Sequence, residues 1–262
     1  MPATGWAAAE EPCHPDAPET IANYVRDGMA LTRVACNADV ATYFDAGLVE
    51  QSPATTAWLS PFISDIWKYL KQEYGSCAVA RELPAPIGPG CEAFGAPKPM
   101  LAFLHKSGSG GGTIRQRFDA SSSFRTTIDV GVSDFLEDNS TLRDTMVHEA
   151  CHQVEGASQG VHDSPAFPVW GDSKWAEFCV FDFYTRTGRS LDARRAFDKF
   201  SSGSDGLPAG ASNAAWFRDW FFPLWQQEGG SPAVMERFFG LLSQHSPSGW
   251  RTTTATPSTP GG

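Results

Sequence analysis

The sequence predicts a mixed α+β fold, in which a small twisted sheet lies against one long helix and a mostly helical region follows. Three observations predict it. The apolar run Met100-Leu101-Ala102-Phe103-Leu104 and the segments at 113–118 and 124–130 read as strands. A proline-free stretch opening at Asn139 reads as a helix, with Asn139 or Ser140 as its cap. Beyond Ser173, apolar and aromatic residues recur at helical spacing in three further stretches, at 174–184, at 213–227 and after Pro232.

Composition supports one sizeable core. The chain has 262 residues, 41% of them hydrophobic, with 18 Phe and 9 Trp, enough for a single domain. Its expected extent is 1–250, with the sheet and first helix at about 97–156 and a helical part at about 171–245. Residues 251–262, rich in Thr, Pro and Gly, read as a flexible tail or linker. The formal net charge of -10, with no Lys/Arg cluster, argues against a nucleic-acid partner. No run of about 20 apolar residues exists, so no membrane span is expected. A monomer is expected.

The N-terminal quarter reads as helical. Ile21, Tyr24, Val25, Met29 and Leu31 give roughly helical spacing over 19–33, a short helix is expected at 40–48, and Ser60-Pro61 opens a stronger one reaching Tyr74. Its stripe of Phe62, Ile63, Ile66, Trp67 and Leu70 reads as core packing. Residues 107–112 are a glycine-serine turn that lacks the Gly-Lys-Ser/Thr of a phosphate loop.

Six cysteines occur, at 13, 36, 77, 91, 151 and 179. An even count fits up to three disulfides, with fifteen possible pairings. The short loop between Cys77 and Cys91 makes that pair the first expectation and Cys13 with Cys36 the second. Cys151 with Cys179 stands as either a bridge or two buried thiols. No basic, apolar leader is legible in residues 1–6. Secretion is nevertheless expected from the cysteines and the tail, with the cytosol as the alternative.

The most informative stretch is His148-Glu149-Ala150-Cys151-His152. Two histidines four apart share one face of a helix, one turn apart. Their imidazoles can share a Zn²⁺ while Glu149 reaches a metal-bound water. Downstream, Glu177 stands amid Trp175, Phe178 and Phe181. A carboxylate buried there needs a partner, and a metal would be one. Asp172 is a helix cap or an alternative ligand, and His162 is a second alternative from the intervening loop. Asp182 either steadies a ligand histidine or faces solvent.

Residues 148–152 resemble the motif of zinc metallopeptidases of the zincin superfamily, and the later glutamate helix resembles the gluzincin branch. Glu177 follows His152 by 25 residues, within that branch's range. The resemblance spans about 40 residues, from Thr145 to Tyr184. The extended metzincin pattern is not met, because Glu155 and Ser158 stand where it has glycine and histidine. The resemblance implies a zincin-like fold, with His148, His152 and Glu177 as zinc ligands and Glu149 as general base. It implies hydrolysis of peptide bonds in a protein or peptide substrate. Zinc would lower the pKa of its water and polarise the scissile carbonyl, and Glu149 would carry the proton to the leaving amine. Tyr184 and His162 are candidate oxyanion donors. The alternatives are a zincin-like binding domain without catalysis and a zinc amidase that is no peptidase. An extended peptide would pair with whichever strand, 113–118 or 124–130, forms the sheet edge.

Overall fold

The computed structural model describes residues 12–51, 56–74, 99–106, 111–115, 125–132, 139–157, 173–202 and 216–237. Six strands form one sheet in the order β1-β2-β3-β4-β6-β5. They are β1 (Thr20–Ala22), β2 (Ala30–Cys36), β3 (Val40–Phe44), β4 (Met100–Lys106), β5 (Gly111–Arg115) and β6 (Thr127–Val132). The central strands β3, β4 and β6 run parallel, and antiparallel pairs flank them. The helices are α1 (Ala46–Val49), α2 (Leu59–Tyr74), α3 (Ser140–Ala157), α4 (Ser173–Arg186) and α5 (Ser190–Ser202). A π-helical turn, Phe217–Phe221, leads into α6 (Phe222–Gln227), and residues 233–237 are helical. The expected α+β class with helices toward the C-terminus is what forms.

β4 is apolar almost throughout because both of its faces are covered. Met100, Ala102 and Leu104 join the main core with α2 and α3, while Leu101 and Phe103 pack in a second cluster with Ala17, Leu31 and Tyr43. That second layer comes from the N-terminal segment, and there the helical expectation is overturned. Residues 20–36 form the β1–β2 hairpin. Its turn is built by Asn23, whose Oδ1 accepts from the backbone N–H groups of Val25 and Arg26, and by Gly28 at φ +79°. Asp27-Gly28 is a hairpin signal, and it outweighs a loose helical spacing. The helix expected at 40–48 is likewise strand β3 followed by α1. Val40–Phe44 is β-branched and aromatic at four of its five positions and buried throughout. Asp45 then caps α1 by accepting from the Leu48 N–H at 2.9 Å.

Asp129, fully buried on β6, fastens the hairpin to the sheet. It accepts from Asn23 Nδ2 at 2.6 Å, from Arg26 Nε, and from His105 Nε2 at 3.0 Å. Burial by itself would raise its pKa, but the hydrogen bonds from His105, Arg26 and Asn23 outweigh it and hold the carboxyl below its usual value.

The other elements follow the pattern more closely. α2 buries Phe62, Ile63, Ile66, Trp67 and Leu70 as expected. Of the two candidate caps of α3, Asn139 acts, its Oδ1 accepting from the Leu142 N–H at 2.9 Å. The strands expected at 113–118 and 124–130 appear as β5 and β6, and Gly111 and Gly112 belong to β5 rather than to a turn. Helix α5, inside the helical part expected at about 171–245, adds Ala193, Ala196 and Phe200 to the core. Cys13–Cys36 and Cys151–Cys179 are both disulfides, with Cα atoms 5.1 and 6.3 Å apart. The Cys77–Cys91 pairing and the 251–262 tail lie outside the described residues.

Asp182 neither steadies a histidine nor faces solvent. It is fully buried on α4 and accepts from the hydroxyls of Tyr69 and Tyr74 and from Trp225 Nε1, the last two at 2.9 and 2.7 Å. Burial pushes its pKa up to about 6, against the pull of these three donors. A folded pKa above the unfolded value means that this group's stabilising contribution is complete below about pH 4 and is lost as pH rises through about 6. Asp182→Asn removes that ionisation, since an amide stays neutral across this range. The stability of the wild type relative to this variant, from urea unfolding, is therefore expected to fall between pH 4 and 7. A flat difference across that window would refute the assignment.

Candidate functional site

Helices α3 and α4 lie side by side and are bridged by Cys151–Cys179. The bridge starts one residue before His152 and ends two after Glu177, so it holds the two polar stretches in register. One helical turn places His148 and His152 edge to face, with ring centroids 4.7 Å apart and their Nε2 atoms 3.1 Å apart. Glu177 lies almost buried on α4, with Oε1 3.6 Å from Nδ1 of His148. Burial, then the positive charges available to His152 and Lys199, lower the His148 pKa to about 3. Its imidazole is therefore neutral at ordinary pH.

Glu149, 8% exposed, packs on strand β5. A Cβ at Gly112 would overlap Cγ of Glu149 and lie 2.6 Å from its Oε1. No local pattern points to this contact beyond the glycine run at 110–112.

The structure thus gathers His148, Glu149, His152 and Glu177 where α3, α4 and β5 meet. Tyr184 is placed elsewhere. It is two turns beyond Glu177, fully buried, and donates to Asp144 Oδ1 at 2.8 Å. Burial and the neighbouring Asp144 carboxylate push its pKa well up. Arg195 from α5 grips the same carboxylate with two hydrogen bonds of 2.6 and 2.7 Å. His162 and Asp172 lie outside the described residues.

The zinc expectation is corrected by this geometry. Among the described residues, no group of three His, Cys, Asp or Glu side chains is arranged to hold a metal ion. The two histidines meet through Nε2, whereas Glu177 approaches the Nδ1 edge of His148. A zinc site needs its donors to converge on one point at about 2.0–2.2 Å. The Zn²⁺ cofactor falls with that convergence, and so do the metal-activated water and the reading as a zinc metallopeptidase or other zinc hydrolase. No family model matches the chain, and no curated protein or solved structure matches it either. The likeness to zincins and gluzincins therefore rests on a local pattern alone, His-Glu-x-x-His with a glutamate 25 residues further on.

Two outcomes test the packing. Gly112→Ala is expected to cost about 1–3 kcal/mol by overpacking against Glu149. Adding Glu149→Ala should recover most of that loss, since the two side chains would no longer collide. Additive losses in urea unfolding would show that Gly112 and Glu149 do not meet. Replacing Cys151 and Cys179 together by alanine should cost roughly 2–4 kcal/mol, and adding reductant should then lower the melting temperature of this variant less than that of the wild type.

Proposed function

We propose that this chain binds an extended polypeptide by strand addition along β5, with His148, Glu149, His152 and Glu177 beside the bound segment. The observation that carries the reading is the position of β5. It is the last strand of the sheet, pairs with β6 on one side only among the described residues, and lies against α3 at the Gly112–Glu149 contact. An edge strand presents a row of backbone donors and acceptors that an extended chain satisfies without any particular side chain. The neighbouring cluster combines a neutral imidazole with two glutamates and would confer the side-chain preference. A net charge of -10 favours a basic peptide over a phosphate backbone. No helix among the described residues is long and apolar enough to cross a membrane. Two disulfides favour an oxidising compartment, and secretion is the localisation proposed.

Fluorescence anisotropy with an unstructured basic peptide tests this, paired with the same peptide N-methylated at alternate residues. Methylation in the register that faces β5 removes backbone donors and should weaken binding by about tenfold or more. Amide resonances of β5 should shift on addition of the unmethylated peptide. Equal affinity for both methylation registers and the parent peptide, or shifts confined to other strands, would reject strand addition.

A further inference from the structure

A concave site lies three strands away from β5, where β2, β3, α1 and the start of α2 line an open cleft of about 600 Å³. Ligand sites for small molecules fall in the range of about 300–1,000 Å³. Phe44 and Leu48 from the main core form part of its wall, at 5% and 1% exposure. The register of β2 against β3 shifts between Arg33 and Ala35, and Val34, at that irregularity, lines the cleft while 42% exposed. At the end of α1, Val49 lines it as well and is 50% exposed. Scattered single exposed apolar residues are ordinary on a protein surface. Here two of the four large exposed apolar side chains among the described residues border one cleft.

The polar lining is selective in a second way. None of the described lining residues is acidic or basic. A charged ligand would lose hydration there with nothing to replace it. Asn37 is already committed, since its Oδ1 accepts from the N–H groups of Asp39 and Val40 and its Nδ2 donates to Ser64. Gln51 is different: its Oε1 is buried and has no hydrogen-bond partner among the described residues. A buried acceptor left in that state costs free energy that a ligand donor would recover.

We propose that this cleft binds an uncharged amphipathic small molecule, with an aliphatic body against Val34, Phe44, Leu48 and Val49 and an amide N–H or hydroxyl donating to Gln51 Oε1. The class is a neutral aliphatic amide or alcohol. The site is independent of the peptide reading, because β4 and β6 separate it from β5.

Nonanamide, nonanoate and nonylammonium share one chain and differ in head-group charge. Protein with ¹³C-labelled methyl groups would be titrated with each. Nonanamide should produce saturable shifts at the Val34, Leu48 and Val49 methyls, and the two ions should bind at least about tenfold more weakly. Gln51→Leu should reduce nonanamide affinity about five- to tenfold while the same methyls respond. Val49→Glu, at a half-exposed position that does not endanger folding, should abolish the shifts. The site is overturned if nonanamide produces no saturable shift, if its shifts map to other residues, or if Val49→Glu leaves binding intact. Equal affinity for all three probes, or an unchanged affinity in Gln51→Leu, overturns the assignment of a neutral hydrogen-bond donor.

Discussion

Helix α3 is the element on which the rest of the structure depends, because it is anchored to three neighbours by different kinds of bond. Gln153 Nε2 donates to the Thr127 carbonyl of β6 at 2.8 Å, which sets the helix against the sheet. Cys151 is bonded covalently to Cys179 of α4. Asp144 accepts from Tyr184 of α4 and from Arg195 of α5. Alongside these anchors Met146, Val147, Ala150 and Val154 are buried in the main core. An apolar stripe by itself tolerates sliding and rotation, since burial is not directional. The polar and covalent anchors remove that freedom, and they determine where His148, Glu149 and His152 point.

The two sides of the sheet are stabilised differently. Its helical side is a continuous apolar cluster reaching from β3 through α2, α3 and α4 to the aromatic turn at 217–221, where Phe178 stacks on Phe221 with centroids 5.1 Å apart. Among the described residues, the other side is a smaller cluster covered by the N-terminal hairpin, with a charged group, Asp129, beside it. Asp129 is tolerable there because three donors surround it; a lone buried carboxylate would protonate or destabilise the fold. Asp182 shows the opposite balance on the helical side. It also has three donors, but its burial dominates and raises its pKa. Equal numbers of hydrogen bonds thus leave two buried aspartates with opposite shifts, and the positive charge of Arg26 beside Asp129 is one difference between them.

The candidate site was legible as a set of residues and illegible as chemistry. Helical periodicity brings His148 and His152 together in any helix, so their proximity follows from the sequence. Glu177 was picked out by the cost of burying a carboxylate among aromatic residues, and it does come to His148. Which ring edge it approaches depends on the His148 rotamer and on how α4 sits against α3, and α4 is held from its other side by Tyr69, Tyr74 and Trp225 around Asp182. Those partners lie 113, 108 and 43 residues from Asp182 in the chain. No local pattern encodes them.

What the sequence by itself determined was local. Helical periodicity specified α2, the Asn139 cap opened α3, an apolar and aromatic run specified α4, a run buried on both faces specified β4, and Asp27-Gly28 encoded a hairpin turn although helical spacing overlaid it. These features act over a few residues, so adjacent side chains carry the information. Tertiary structure alone decided the pairing of β3 with β4 across more than fifty intervening residues, the place of β5 at the sheet edge, the seat of Glu149 against Gly112 and the direction from which Glu177 meets the histidines. Each of these depends on which distant surfaces bury each other, and apolar burial is non-directional until specific hydrogen bonds and disulfides select one arrangement.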